Sequence, residues 1–235
     1  VDKSLSLYVP FDGDLQAKVS AGNKKEPLYY DKSIKYTEGI RGKAVVLQGE
    51  GVAYSAKECI NRDRGTIMFW FKGFDPTDCS ARRYARQKMF FEVGNWNEAM
   101  RLYWPGNGIG QLFLEFICMG GVKKGNALSC GFFHPEDRWI SPEKWHHIAV
   151  TWINEEEARF YFDGRLAFRV NGVNLPAELS DDFVLGRGTP ELHIDELIVY
   201  KEALSAGMIS KIYDELNTER WKKLNIVPQK ELKTK

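Results

Sequence analysis

The carboxylates of this 235-residue chain are the side chains best suited to chemistry, and their spacing argues against a glycoside hydrolase. Retaining hydrolysis requires two carboxylates about 5 Å apart, one to attack and one to donate a proton. Strand side chains alternate between faces, so one strand supplies such a pair only from every second position. Asp195 and Glu196 are adjacent and are expected on opposite faces. The sequence favours a non-catalytic protein, and the hydrolase alternative requires carboxylates from facing strands, drawn from Glu92, Glu98 and Glu115.

Other catalytic patterns are missing from the sequence. There is no G-x-S-x-G nucleophile elbow and no glycine-rich phosphate loop. His146 and His147 are neighbours on a predicted strand, so they point to opposite faces and cannot hold one ion together. No C-x-x-C spacing indicates a zinc site.

Two aromatic and polar segments have the composition of a sugar-binding surface. A pyranose ring packs its apolar side on an exposed aromatic ring, and planar polar groups bind its hydroxyls. We predict a ligand-binding set on this basis, consisting of Asn95, Trp96, Asn97, Arg101 and Trp104. The alternative is that these tryptophans cap the core, because the chain contains seven tryptophans.

Composition excludes several partners. Thirty-three basic and 32 acidic residues leave a net charge of +1, which gives no reason to expect a nucleic acid partner. No apolar run is long enough to span a bilayer. Apolar residues at 43% and aromatic residues at 13% are enough to fill one substantial core. Because the chain begins with Val1 rather than Met, we expect a mature or excised fragment.

Short apolar segments between turn signals predict an all-β protein of two packed antiparallel sheets. The predicted strands are Leu5–Val9, Ala44–Leu47, Gly51–Tyr54, Thr66–Lys72, Lys88–Val93, Met100–Tyr103, Gly110–Ile117, Asn126–Phe132, His146–Trp152, Ala158–Phe162, Arg165–Val170, Asp182–Leu185 and Leu192–Tyr200. A short C-terminal helix is predicted over Ser205–Leu224, capped by Ser205. Its apolar stripe is Met208, Ile212 and Leu216, and residues 225–235 are predicted to form a polar tail or linker.

The clearest local pattern is a hairpin in the second half of the chain. The segment W-H-H-I-A-V-T-W (145–152) is followed by F-Y-F-D-G (160–164), whose Asp-Gly pair suits a tight turn. The other characteristic segments, in chain order, are 7–13, 39–47, 193–200 and 203–205. Together they resemble the laminin-G-like, concanavalin-A-like jelly-roll family over about residues 5–215.

The resemblance implies a jelly-roll β-sandwich and, in many relatives, a structural calcium ion. The ligands it implies here are the Asp195 and Asp12 carboxylates and the Gly42 carbonyl. Calcium takes six to eight oxygen ligands, and carboxylates with main-chain carbonyls would tie both chain ends together. The alternative is that Asp12 only forms a turn and Asp195 only bonds to a nearby loop.

Four cysteines allow three pairings if all are bridged. Cys118 and Cys130 flank a turn-rich segment and are expected to face each other across a hairpin, whereas Cys59 and Cys79 flank a strand. Two disulfides would suit an exported protein, and the alternative is four buried thiols.

We therefore predict a concanavalin A-like sandwich over residues 1–217, with the helix end and a tail or linker over 218–235. The predicted function, which comes from the resemblance, is a non-catalytic, lectin-like module of a larger secreted, cell-surface or periplasmic protein. Its partner would be a glycan or glycosylated protein, with neighbouring domains in the full-length chain. The alternatives are a structural or protein–protein interaction module and a glycoside hydrolase of the same fold.

Overall fold

The computed structural model of the chain describes residues 3–73, 88–95, 98–104, 113–118, 128–130, 141–175, 179–189 and 191–217. In chain order these residues form β1 (Leu5–Val9), β2 (Val19–Ser20), β3 (Tyr29–Tyr30), β4 (Lys35–Glu38), β5 (Lys43–Leu47), β6 (Val52–Ser55), α1 (Ala56–Cys59), β7 (Arg64–Lys72), β8 (Lys88–Asn95), β9 (Glu98–Trp104), β10 (Phe113–Cys118), β11 (Leu128–Cys130), β12 (His146–Ile153), β13 (Glu157–Phe162), β14 (Arg165–Asn171), β15 (Asp182–Leu185), β16 (Leu192–Tyr200) and α2 (Ala206–Leu216).

The strands form two antiparallel sheets, which confirms the predicted all-β jelly-roll sandwich with a short C-terminal helix. One sheet has nine strands in the order β14-β13-β12-β7-β16-β1-β2, with β5 also paired to β16 and β4 paired to β5. The other has seven strands in the order β11-β10-β9-β8-β15-β6-β3. Strands β1 and β16 are neighbours, so the first and last described strands close the same sheet.

Strand β7 lies at the centre of the nine-stranded sheet and is buried on both faces. Ile67, Phe69 and Phe71 pack between the sheets, because alternate residues of a strand share a face. Met68 and Trp70 point to the other side and belong to a second apolar cluster. The apolar run that predicted this strand therefore reflects burial on both sides.

Helix α2 covers the outer face of the nine-stranded sheet. It begins after Ser205, whose side chain accepts a hydrogen bond from the Met208 N–H, as predicted for the cap. Its buried residues are Ile209 and Leu216, and Met208 is 40% exposed. The predicted apolar stripe of the helix was therefore wrong at Met208, because the buried face contains the next residue, Ile209, instead. The predicted extension over 218–224 lies outside the described residues.

The structure also corrects the cysteine predictions. Cys59 is a free, buried thiol. In the β10–β11 pair Cys130 lies opposite Leu114, four residues from Cys118, which is about 13 Å along a strand. A disulfide requires Cα atoms within about 7 Å, so the hairpin pairing of Cys118 with Cys130 is wrong. Cys79 lies outside the described residues.

None of the helices in the described part of the chain is long and apolar enough to cross a membrane.

Candidate functional site

A row of paired residues crosses the outer face of the seven-stranded sheet. Paired residues of an antiparallel sheet share a face, and the neighbouring residues Val93, Met100 and Phe183 pack into the core between the sheets. The row therefore points away from that core. From β9 to β3 its members are Arg101, Glu92, Val184, Ala53 and Tyr29.

One guanidinium connects three polar side chains at this row. Arg187 Nη1 donates to Glu92 Oε1 at 2.9 Å, and its Nη2 donates to the Tyr29 hydroxyl at 2.6 Å. Nη2 also lies 3.3 Å from Asp182 Oδ2, to which the Tyr29 hydroxyl donates at 2.8 Å. Tyr29, Glu92, Asp182 and Arg187 are called the Arg187 cluster below. A planar guanidinium that makes several such bonds fixes the directions of all four side chains.

The sheet register explains how such distant residues meet. Glu92 and Tyr29 lie three strands apart, which is about 14 Å across a sheet. The two row positions between them hold the short side chains of Val184 and Ala53, so Arg187 and the Tyr29 ring reach over them. Arg187 itself follows β15 in a turn between two glycines that both have positive φ.

The cluster has a buried base and an open rim. The Glu92 side chain is 10% exposed, whereas those of Asp182 and Arg187 are 28% and 43% exposed. Burial raises the pKa of Glu92, and the charge of Arg187 acts in the opposite direction. Burial and the bond to Asp182 also raise the pKa of Tyr29. The arrangement presents hydrogen-bonding groups whose orientation is fixed before a ligand arrives.

Arg101, predicted to bind ligand, lies in the middle of β9 rather than at a loop. It is 7% exposed, and its Cζ atom lies 5.1 Å from the centre of the Tyr103 ring. Its charge also acts on Glu92. Arg101 is therefore largely buried beside Glu92, and its role in ligand binding stays a prediction.

The other predicted ligand-binding residues lie at both ends of the β8–β9 hairpin. Asn95 ends β8 and Trp104 ends β9, and these ends are separated by about 20 Å along the strands. Trp96 and Asn97 lie outside the described residues. The backbone therefore does not gather Asn95 and Trp104 into one site.

The residues predicted to bind calcium do come together, at the opposite sheet. Asp195 on β16 is fully buried, and its Oδ2 accepts the N–H groups of Ile40 and Arg41 at 2.8 and 3.2 Å. Its Oδ1 accepts the N–H of Glu196 at 2.9 Å. Burial raises the pKa of Asp195 to about 8, against the effect of these N–H donors. The carboxylate fixes the 39–43 turn onto the sheet, and this arrangement is called the Asp195 hub below.

Asp12 and Gly42 complete the hub from the other side of the turn. Asp12 Oδ1 accepts the N–H of Lys43 at 3.0 Å. Gly42 has φ +61°, and a Cβ atom there would overlap Asp12 Oδ1. The Gly42 carbonyl accepts the N–H of Gly39 at 3.1 Å. Only glycine allows this turn conformation together with the close carboxylate.

A β-bulge corrects the expected orientation of the two adjacent acids. Glu196 has φ +51°, and the pairing with β7 shifts between Asp195 and Ile198. Ile194 and Leu197, on either side of the acids, both pack into the core between the sheets. Both carboxylates therefore lie on the outer side, where Glu196 Oε2 accepts from the Tyr8 hydroxyl at 2.8 Å. The expectation of opposite faces was wrong, because a bulge adds one residue to the alternation.

The hub as arranged does not fit a calcium cage. At each residue assigned to the ion by resemblance, at least one oxygen atom already accepts a main-chain N–H group, and calcium requires six to eight oxygen ligands. Within the described ranges there is no group of three or more His, Cys, Asp or Glu side chains that could hold a metal ion. Calcium at this position stays a prediction from the resemblance.

Sequence reasoning singled out Glu92 but missed its partners. Arg187 is separated from Glu92 by 95 residues and from Tyr29 by 158. No local spacing connects residues so distant along the chain. The glycines around Arg187 were the available local signal, since they mark a tight turn at the end of a predicted strand.

Comparison with known proteins agrees with this architecture. A family model described as the concanavalin A-like lectin/glucanases superfamily matches residues 48–210. Among solved structures, the binding domain of botulinum neurotoxin serotype G is similar with a TM-score of 0.65 and 16% identity, over 88% of this chain and 50% of that one. The binding domain of botulinum neurotoxin DC in complex with SialylT is similar with a TM-score of 0.67 and 11% identity, over 91% and 52%.

A third similar structure is the binding domain of paraclostridial mosquitocidal protein 1, with a TM-score of 0.65 and 15% identity over 90% of this chain and 52% of that one. The chain thus spans about half the length of these binding domains. No curated protein matches the chain significantly in sequence. The structural likenesses, at such low identities, show the fold, and the family match covers more than half of the chain. The chain belongs to the concanavalin A-like lectin/glucanases superfamily.

Proposed function

We propose that the chain is a non-catalytic binding module that holds a glycan, free or on a glycosylated protein, on the outer face of its seven-stranded sheet. The observation that carries the proposal is the Arg187 cluster, a set of mutually bonded side chains with a partly exposed rim. Similar solved structures are binding domains, one in complex with SialylT and one with rat synaptotagmin II. Those ligands belong to those proteins, and they support a binding role for this chain only by analogy.

The chemistry of the cluster suits hydroxyl groups. A sugar hydroxyl both donates and accepts, and the rim offers a carboxylate acceptor on Asp182 and guanidinium donors on Arg187. The acids Glu92 and Asp182 are balanced by the guanidinium groups of Arg187 and Arg101. A site with balanced charge has no strong preference for an anionic ligand, so we propose a neutral glycan.

The geometry favours binding over hydrolysis. Glycoside hydrolysis requires one carboxyl group free to donate a proton and a second free to attack or to activate water. Glu92 and Asp182 both lie against the same guanidinium, at 2.9 and 3.3 Å. The guanidinium engages one oxygen atom of each acid, Glu92 Oε1 and Asp182 Oδ2, so neither carboxyl group is free in the way that the reaction requires.

A glycan array tests the proposal. We expect the purified protein to bind at least one neutral oligosaccharide, and Arg187→Ala to weaken that binding by tenfold or more, since charge-assisted hydrogen bonds contribute about 1.5–3 kcal/mol each. Arg159→Ala is the matched control, because Arg159 is a 36% exposed arginine that pairs with Glu157 on the other sheet. Circular dichroism confirms that each variant is folded.

Tyr29→Phe provides a second, milder variant. It keeps the ring and removes the hydroxyl that joins Arg187 to Asp182, so we expect weaker binding without unfolding. Equal binding by wild type, Arg187→Ala and Tyr29→Phe would show that the site lies elsewhere. If the wild-type protein binds no glycan on the array, the protein–protein interaction alternative becomes the better account.

Surface labelling of intact cells tests the proposed secreted, cell-surface or periplasmic location.

A further inference from the structure

His147 on β12 is a buried titratable group that the proposed binding site does not use. The side chain is fully buried on the outer side of the nine-stranded sheet. Its ring centre lies 5.3 Å from that of Trp70 on β7 and 5.7 Å from that of Tyr213 on α2. Neither ring nitrogen has a hydrogen-bond partner among the described residues. The imidazole is therefore held neutral by its surroundings, as in an apolar core.

The charged group that acts on this ring is Asp163, and its oxygen atoms are already bonded. Oδ1 accepts the main-chain N–H of His147 at 2.8 Å, and Oδ2 lies 2.9 Å from His146 Nδ1. The neighbour from β7 is Trp70 and the neighbour from α2 is Tyr213, both neutral rings. Tyr213 and Asp163 also line a cleft together with the charged and polar residues Arg165, Ser210 and Asp214.

Burial accordingly opposes protonation of His147. It lowers the pKa of the ring to about 4, and the charge of Asp163 reverses this only in part. A histidine exposed to solvent has a pKa of about 6.5. At a pH between these values, a proton favours any conformation in which water reaches the ring.

Helix α2 is the element that keeps water away, and it is attached by side chains. Ile209 and Leu216 are buried against the sheet, and the Tyr213 ring stacks on Trp70 at 5.2 Å and 16°. Among the described residues, the helix-end main-chain bonds stay within the helix and its caps, from Ile209 N to Ser205 O and from Asn217 N to Tyr213 O. The helix can therefore separate from the sheet without breaking a strand pair.

We propose that α2 is a clamp released by acid: protonation of His147 opens the helix away from the nine-stranded sheet and uncovers the apolar face beneath it. That face is formed by Met68, Trp70, Ala149, Tyr161 and Ile198. The segment before the helix stays fixed, because the Leu204 N–H donates to Thr66 Oγ1 at 3.0 Å. The hinge therefore lies between Leu204 and the first turn of α2. This proposal does not depend on the proposed glycan site, which is on the other sheet.

The sign and size of the effect follow from the two pKa values. The native pKa is lowered, so the closed clamp is fully stable above about pH 6.5 and loses stability as the pH falls toward 4. Between pH 7 and pH 5 the ratio of open to closed clamp rises about twentyfold, taking about 6.5 for the open state.

Hydrogen exchange measured by mass spectrometry tests the clamp. After correction for intrinsic rates, we expect protection of residues 206–216 to fall about twentyfold from pH 7 to pH 5, while peptides from β12 and β13 change much less. His147→Phe keeps a ring of similar size without a titratable nitrogen and should abolish the fall. His193→Gln is the control, since His193 is half-buried beside Glu191 on β16, and it should respond like wild type.

Three results would overturn the proposal. One is an equal loss of protection in α2 and in the β12–β13 hairpin, which would mean global acid unfolding. The second is a wild-type response in His147→Phe, and the third is no pH response of α2 at all. If His147→Phe does not fold, His147→Leu replaces it, and the wild-type comparison of α2 with β12–β13 already decides between local release and global unfolding.

Discussion

The Asp195 hub allows a quantitative test of how the fold closes. In Asp195→Ala the N–H groups of Ile40, Arg41 and Glu196 all lose their acceptor. Ile40 and Glu196 are 4% and 3% exposed, so water does not easily replace the carboxylate there. Arg41 is exposed, and its N–H can bond to water.

The magnitude follows from the two buried donors. Each unsatisfied buried donor costs about 1–3 kcal/mol, which gives about 2–6 kcal/mol for the pair. Burial raises the pKa of Asp195, so removing the carboxylate also removes an unfavourable desolvation. We therefore expect the lower part of the range, about 2–4 kcal/mol. For a domain of this size that corresponds to a fall in Tm of about 4–16 °C.

Urea unfolding followed by tryptophan fluorescence measures this loss of free energy. Asp12→Ala is the matched control, because it removes an acceptor from the same turn, at the exposed N–H of Lys43. We expect it to cost less than about 1 kcal/mol, since water replaces the bond. An Asp195→Ala variant as stable as Asp12→Ala would refute the view that the buried carboxylate fixes the 39–43 turn to β16.

Two further predictions concern the same side of the sandwich. The carboxylates of the Asp195 hub already accept main-chain N–H groups. We therefore expect the Tm of the protein to differ by less than about 1 °C between EDTA and millimolar calcium. A clear calcium-dependent rise in Tm that Asp195→Ala abolishes would instead establish a calcium ion at the hub. Burial raises the pKa of the Cys59 thiol to about 11. At pH 8 we therefore expect a thiol reagent to leave Cys59 unmodified in the native protein and to modify it in urea. Peptide mass spectrometry maps the modified residue. Rapid native labelling of Cys59 would contradict the buried position.

Local patterns predicted the parts of the fold whose partners are close along the chain. The hairpin of His146–Trp152 with Ala158–Phe162 is confirmed, with Ile148 opposite Phe162. Alternation, β-branched residues and, between β13 and β14, the Asp163-Gly164 turn all act within a few residues, so the sequence contains their signal. The closing strand Leu192–Tyr200 is confirmed with the predicted bounds.

Features decided by pairing between distant segments could not be predicted in the same way. Strands β2, β3 and β4 are two to four residues long, are not fully buried and were not predicted. The bulge at Glu196 places a non-glycine residue at positive φ, and its neighbours give no local signal for that. The cysteine register likewise depends on how β10 meets β11.

The candidate site shows the same contrast between local sequence patterns and contacts between distant segments. The sequence analysis named Glu92 among three candidate carboxylates, and it is the one that the structure places in the cluster. Its partner Arg187 comes from a turn 95 residues away, and only the sheet order brings them together. The predicted aromatic set around Trp104 rested on composition, and composition does not tell which strand end a residue occupies.

The most direct test of the proposed function is a crystal structure of the protein with a neutral oligosaccharide selected on the array. We expect sugar hydroxyls within about 3 Å of the Arg187 guanidinium and the Asp182 carboxylate, on the outer face of the seven-stranded sheet. A glycan bound to the nine-stranded sheet or at the ends of the sandwich, with the Arg187 cluster untouched, would contradict the account.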